Sequence, residues 1–403
     1  MKIKLFVCFL VILIFLNGCK MQSENKNNSL SNSKTNDISG NNLITNETLS
    51  IYDINNKVIG TIEHYGAITQ TDDSIIYTTI PNNSTQSITE IDYYQYVFKT
   101  KDRIKLGTVK NWSYQTADKV FINNHLYTYI TTDMDDANKR TLKFVDIDLI
   151  NHTMSDIFSE KGGFPYNSMA VVGNQVLMAK VLANGCDLEE YNPETKKMTT
   201  LKRFDFNDKT NIGETIRQIN ADNDTISLLM LKKRTSDSVK LVIDIYDHNM
   251  NFLHSVDMSS ISSDKNELRQ GVSHFIVSNN YIYYENFSST RFLGEIEGNN
   301  VVKIMETDAT FEKAFDIVKN ERTNLFYQSY NSNKDLYLLN NANGTIQKTT
   351  VSLNDKRYSI INISRDTKDN CLLTLYYKDP NTGDTLVPKL YYINLSNLKW
   401  RPS

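Results

Sequence analysis

A polar turn followed by an aromatic or aliphatic strand recurs along this chain, and that recurrence constrains the fold more than any single residue. Asp72-Asp73 precedes Ser74-Ile75-Ile76-Tyr77-Thr78, and Asn123-Asn124 precedes His125-Leu126-Tyr127-Thr128-Tyr129. Gly173-Asn174 precedes Gln175-Val176-Leu177-Met178, Asn223-Asp224 precedes Thr225-Ile226-Ser227-Leu228-Leu229, and Asn279-Asn280 precedes Tyr281-Ile282-Tyr283-Tyr284. Two looser copies follow: Asn320 to Asn324 before Leu325-Phe326-Tyr327, and Asp369-Asn370 before Cys371-Leu372-Leu373. The turns lie about 45 to 55 residues apart, a period that marks one supersecondary unit repeated in an array.

Each turn is flanked in the same way. A short strand comes before it, as in Ala170-Val171-Val172 or Phe275-Ile276-Val277, and a third comes after, as in Leu142 to Ile147 or Lys240 to Ile245. A second turn, such as Asn249-Met250-Asn251 or Asn341-Ala342-Asn343-Gly344, leads to a fourth strand. Four antiparallel strands joined by polar hairpins make one blade of a β-propeller. The third strands alternate, with Lys240, Val242 and Asp244 against Leu241, Ile243 and Ile245, which predicts one buried and one wetted face. With 23 Tyr and only 6 Pro, composition also favours strands.

The expected fold is therefore an all-β propeller over residues 48–403, with seven blades as the first choice and eight as the alternative. Leu49 to Asp53 and Val58 to Ile62 read as a third and fourth strand lacking a first and second. The last repeat has a good third strand, Lys389 to Asn394, but only a stub of a fourth around Lys399-Trp400. Donating N-terminal strand to the last blade closes the ring and removes exposed edges.

Ahead of the repeats, Lys2 and Lys4 precede an apolar run from Leu5 to Leu16, and Leu16-Asn17-Gly18-Cys19 closes it. Twelve residues at about 1.5 Å each fall short of about 30 Å of hydrocarbon but suit a signal-peptide core. Leu16, Gly18 and Cys19 give the segment its resemblance to bacterial lipoprotein signal peptides, with Asn17 as a departure from the usual small or branched residue. The resemblance implies cleavage between Gly18 and Cys19, diacylglycerol on the Cys19 sulfur, and a lipid-anchored, outward-facing location at the cell membrane. Residues 19–47, rich in Asn, Ser, Lys and Thr, read as a flexible tether.

Removing residues 1–18 deletes Lys2 and Lys4 and no acid, taking the net charge from −3 to −3 − 2 = −5. Without a basic stripe, no nucleic-acid partner is expected. Cys186 and Cys371 are the only cysteines in the repeat region and fall in the third and seventh repeats, which are not neighbours in a ring of seven. Two free thiols are expected.

The six His, at 64, 125, 152, 248, 254 and 274, have no metal-ligand spacing, and Asp133-Met134-Asp135-Asp136 lacks the Gly and distal Glu of a calcium loop, so no metal site is expected. Lys161-Gly162-Gly163-Phe164-Pro165 reads as a loop, and with no P-loop, dinucleotide or nucleophile-elbow motif no cofactor is expected either. A glycosidase needs two facing carboxylates; Glu189, Glu190, Glu285, Glu295 and Glu297 are available, but their spacing nominates no pair, so no catalytic residue is assigned.

Ile76-Tyr77-Thr78-Thr79 and Tyr281-Ile282-Tyr283-Tyr284-Glu285 resemble degenerate forms of the Tyr-Trp-Thr-Asp and TolB-like extracellular propellers. The aspartate boxes of sialidase propellers and the repeated Trp motifs of quinoprotein propellers are missing. The aromatics read as filling between blades, with Tyr93, Tyr94 and Tyr96 as the alternative lining of a binding surface. The functional expectation is a binding or scaffold protein for an envelope protein, peptide or glycan. The alternative is an extracellular carbohydrate-active hydrolase or lyase with its site in the funnel.

Overall fold

The computed structural model describes residues 47–402, apart from 67–68, 82–89, 134–139, 162–165, 183, 208–211, 223, 236–237, 259–271, 279, 287–290, 308–322, 331–332, 341–344, 352–358, 365–369 and 379–384. The leader, residues 19–46 of the expected tether and Asp135-Asp136 lie outside the described residues, and Glu47, expected to end the tether, instead begins the first strand. Apart from one turn of 3-10 helix, Leu395–Asn397, the described elements are strands.

Four-stranded antiparallel meanders succeed one another along the chain. The first comprises β3 (Thr69–Gln70), β4 (Ser74–Thr79), β5 (Glu90–Val97) and β6 (Arg103–Lys110). The second comprises β7 (Trp112–Ile122), β8 (His125–Thr132), β9 (Thr141–Asp148) and β10 (Thr153–Lys161). The third comprises β11 (Tyr166–Val172), β12 (Gln175–Leu182), β13 (Gly185–Asn192) and β14 (Lys197–Asn207). The fourth comprises β15 (Ile212–Ala221), β16 (Thr225–Thr235), β17 (Ser238–Asp247) and β18 (Phe252–Asp257). The fifth comprises β19 (Val272–Ser278), β20 (Tyr281–Asn286), β21 (Arg291–Glu297) and β22 (Asn300–Thr307), and short pairings of β14 with β15 and of β18 with β22 join the third, fourth and fifth into one twelve-stranded sheet.

The turn chemistry explains why the strands break where they do. Asn123 and Asn124, with φ of 49° and 66°, turn β7 into β8 in the left-handed region that a two-residue hairpin needs. Between third and fourth strands a recurring side chain caps the turn. Asp247 Oδ1 accepts the N–H groups of Asn249 and Asn251, and Asp148 Oδ1 accepts those of Ile150 and Asn151. Asn192 Oδ1 does the same for Glu194 and Thr195. These side chains supply acceptors that the ladder cannot, so the same turn recurs without a glycine.

The core lies between successive sheets. Ile91 and Tyr93 of the first meander cluster with Leu126 and Val145 of the second, and Leu177 and Cys186 of the third with Ile216 and Leu228 of the fourth. Packing on both sides of each sheet corrects the expectation of one wetted face. Leu241, Ile243 and Ile245 are buried, and so are Val242 and Asp244 opposite them. Asp244 is accommodated there by Lys232, whose Nζ lies 2.6 Å from its carboxylate.

The two ends of the strand region pair differently. In the last sheet β26 (Ser359–Ser364), β27 (Asn370–Lys378) and β28 (Thr385–Asn394) are extended by β1 (Glu47–Tyr52) and then β2 (Val58–His64). The N-terminal hairpin thus joins the last repeat, as expected, but β1 runs parallel to β28. The parallel placement leaves β2, antiparallel to β1, pointing as an ordinary fourth strand would before the chain enters β3. The stub near Lys399-Trp400 corrects the expectation at the other end. It continues into β29 (Arg401–Pro402), which pairs with β25 (Thr345–Val351) of the preceding sheet, beyond β23 (Thr323–Tyr330) and β24 (Asn333–Asn340). With β1 against β28, the edge beside the last third strand is filled, and the edge of β25 is the open one.

Candidate functional site

The first strands of consecutive meanders lie side by side: β7 against β11, β11 against β15, and β15 against β19. Each is hydrogen-bonded to its own meander along one edge, and beyond the short β14–β15 pairing at Ile212 and Gly213 the other edge finds partners elsewhere. Buried polar side chains provide them. Ser168 Oγ on β11 accepts the N–H of Ile219 on β15 at 3.0 Å, and Asn220 Nδ2 on β15 donates to the carbonyl of Val277 on β19. Where the last sheet meets the first, Gln70 Nε2 donates to the carbonyl of Asn370 at 2.9 Å, and Asn370 Nδ2 to Asp72 Oδ1 at 3.0 Å. These residues act as pegs between strands.

Arg217 departs from that pattern. A β-bulge between Ile216 and Gln218 leaves it without a cross-strand partner on β16. A bulge re-aims a side chain that strict alternation would point elsewhere. The Nε of Arg217 is sealed from solvent and unbonded, and desolvation pulls the guanidinium below its ordinary pKa. Cys186 is the titratable neighbour acting on it, with its own thiol pushed up to about 11 by burial. That thiol is neutral at neutral pH and supplies no counter-charge. The carboxylate adjoining Cys186 in sequence, Asp187, is bound to Arg203 Nη1 at 3.0 Å.

The residues singled out from sequence are distributed otherwise. Gly18 and Cys19 lie outside the described residues. Glu189 and Glu190 sit on β13, Glu285 on β20, and Glu295 and Glu297 on β21. β13 lies in the same twelve-stranded sheet as β20 and β21 but with the whole fourth meander between them in strand order, and their placement nominates no pair. Burial pushes the Glu190 carboxyl above its usual range.

His125 Nδ1 contacts Asp146 at 2.8 Å, His152 Nδ1 contacts Gln95 Oε1 at 3.0 Å, and His248 Nε2 contacts the Asp222 carbonyl at 3.1 Å. His64 ends β2, His254 lies on β18 and His274 on β19. Among the described residues, no three His, Cys, Asp or Glu come together to hold a metal ion.

Tyr93 and Tyr96 are buried in the core, and Tyr94 is half-buried beneath Arg103, whose guanidinium carbon lies 4.2 Å from its ring centre. These tyrosines fill space between sheets, which answers the alternative of a Tyr-lined surface. Cys186 and Cys371 are free and buried on β13 and β27. Arg217 was legible only as one more charged residue in a strand, because a bulge leaves no signature in the hydrophobic pattern.

No family model matches the chain, and no curated protein matches it. Solved structures do. The β-propeller domain of the Trilobed protease from Pyrococcus furiosus, described as having an open velcro topology, superposes with a TM-score of 0.51 at 9% identity. That match covers 84% of this chain and 94% of the other. A protein of Listeria monocytogenes EGD-e aligns over 88% of this chain and 96% of its own, at 13% identity and a TM-score of 0.42. The likeness to the Pyrococcus domain, at so low an identity, speaks for architecture alone: the fold of this chain is that of the β-propellers.

Proposed function

We propose that this chain is a lipid-anchored, extracytoplasmic binding protein. Residues 1–18 are the signal peptide, Cys19 carries the lipid, residues 19–46 are the tether, and residues 47–403 form a seven-bladed propeller closed by the β1–β2 hairpin. Its ligand is an envelope protein, a peptide or a glycan held on the propeller.

The observation that carries the binding reading is the chemistry of the first-strand row. Gln70 and Asn220 donate through their amide nitrogens and Ser168 accepts between strands, while Arg217, the one cation of the set, has no charge partner among the described residues. A guanidinium recognises charge and shape but holds its proton throughout the accessible pH range, so it serves neither as general base nor as nucleophile. Such a group suits recognition.

Metabolic labelling with a radioactive fatty acid tests the anchor: the wild-type chain is labelled, and Cys19→Ala is unlabelled and released or unprocessed. Undiminished labelling of Cys19→Ala overturns it. Photo-crosslinking of the full chain on intact cells tests the binding reading, which predicts a discrete adduct with an envelope component. The absence of any adduct, together with hydrolysis or elimination of a polysaccharide by the purified chain, overturns it in favour of an enzyme.

A further inference from the structure

We infer that Arg217 is the recognition point for an oxyanion, a carboxylate or phosphate group, received beside β15 at the side of the third meander. The inference deepens the binding reading above and rests on it for the role of the site. It stands on three observations of the chain itself.

The first is position. Arg217 is the extra residue of the bulge in β15, past the short pairing of its start with β14, and β15 lies beside β11 and β19. An arginine on the outermost strand of a meander would extend into water and need no partner. On a first strand it has sheet on both sides, with Ile216 and Ile219 buried beside it in the cluster shared with Cys186.

The second is the missing counter-charge. Several partly buried or surface lysines, by contrast, sit against carboxylates. Lys232 meets Asp244 at 2.6 Å, Lys180 meets Glu160 at 2.5 Å, and Lys143 meets Asp156 at 2.6 Å. Arg217 has Cys186 beside it, whose thiol is uncharged, and Asp187 is held by Arg203. A desolvated charge without a partner is among the most costly arrangements a fold can hold, and a stability role does not account for it.

The third is donor geometry. The sealed, unbonded atom of the guanidinium is Nε. The fork it presents is planar and matches two oxygens of one carboxylate or phosphate. Water satisfies single donors equally well, but it supplies no negative charge. A bound oxyanion supplies both.

Phenylglyoxal modification of the folded full chain, followed residue by residue by mass spectrometry, tests the assignment in the wild-type protein. Inorganic phosphate and acetate are the two probes, each added against chloride at constant ionic strength. Arg217 is expected to react in chloride and to be protected saturably, by about tenfold when the probe stands near ten times its Kd. Protection by phosphate alone identifies a phosphate-bearing ligand, and equal protection by acetate a carboxylate.

In parallel, phosphate is expected to raise the Tm of the wild-type chain along a saturating curve. Arg217→Met is expected to show only the linear salt effect, and Arg217→Lys a weaker saturating rise. Should Arg217→Met fail to fold, the modification experiment decides alone. Arg217 inert to the reagent, or modified at the same rate with and without both probes, overturns the inference. A cellular adduct retained by a chain whose Arg217 shows no protection sinks this inference and spares the binding reading. Protection without any adduct does the reverse.

Discussion

Tyr52 stacks on Tyr391, with ring centroids 5.2 Å apart and planes 23° from parallel, and Tyr391 donates its hydroxyl to Asn56 Oδ1 at 2.8 Å. The pair joins β1 to β28 at the one place where two strands run parallel within the last sheet. Only Ile51 with Leu390 and Tyr52 with Tyr391 are in register there, so the ladder is short. Side-chain packing must carry what few hydrogen bonds do not: Leu49, Ile51 and Leu390 are all buried in one cluster with Ile75 and Tyr77 of β4.

Because Tyr391 is fully buried, Tyr391→Ala should cost about 3–5 kcal/mol of unfolding free energy, by analogy with other large aromatic truncations. Tyr391→Phe, which keeps the ring and removes the hydroxyl bonded to Asn56, should cost about 0.5–1.5 kcal/mol. Urea unfolding of the two variants measures both. Similar losses for both would mean that the hydroxyl, not the ring, holds the strand.

Gln70 is wholly buried, and its Nε2 reaches the main chain of Asn370. Gln70→Leu should strand that carbonyl and cost about 1–3 kcal/mol. Amide exchange should locate the loss at β3 and β27 rather than at the fourth meander. A variant with uniform, unchanged protection would refute the peg.

His64 has an Nδ1 sealed from solvent without a partner, and desolvation lowers its pKa from 6.5, opposed in part by a main-chain bond to Gly66. The folded chain therefore binds this proton more weakly than the unfolded chain. Its contribution is present above pH 6.5 and is lost as pH falls from there towards the lowered folded value. The urea midpoint should drop between pH 7 and pH 5, and His64→Phe should flatten that drop. An equal drop in the variant would assign the proton uptake elsewhere.

Cys186 combines full burial with a thiol raised to about 11. In the folded chain it should resist a thiol-specific disulfide reagent and react at once in urea. Rapid labelling without denaturant would show that the interface of the third and fourth meanders opens.

Gly185 begins β13 where an added Cβ would stand 2.3 Å from the carbonyl oxygen of Phe204. Gly185→Ala must therefore push β14 away, at about 1–3 kcal/mol. The same displacement should reach Cys186 and make its labelling measurable. A neutral outcome would mean that the β13–β14 pair yields freely at this end.

How much of this was legible beforehand depends on how local the cause is. Asp247 and Asp148 cap their turns through bonds spanning a few residues, so the turns and the strands they bound could be placed from the pattern alone. The separation of Cys186 from Cys371 followed from the repeat count, and both thiols are free. Asp244 was misjudged as wetted because alternation records only that two faces differ, not that a second sheet covers the polar one.

The sequence by itself determined the strands, their hairpin order and the repeated packing unit, because turn geometry and side-chain period act over neighbouring residues. Only the tertiary structure decided which edges meet. The parallel seating of β1 on β28, the capture of β29 by β25 and the unpaired Arg217 each depend on residues far apart in the chain. An edge strand will accept a partner of either direction, and a bulge alters one residue's aim without altering composition. Such choices are settled by competition among surfaces that exist only once the sheets have packed.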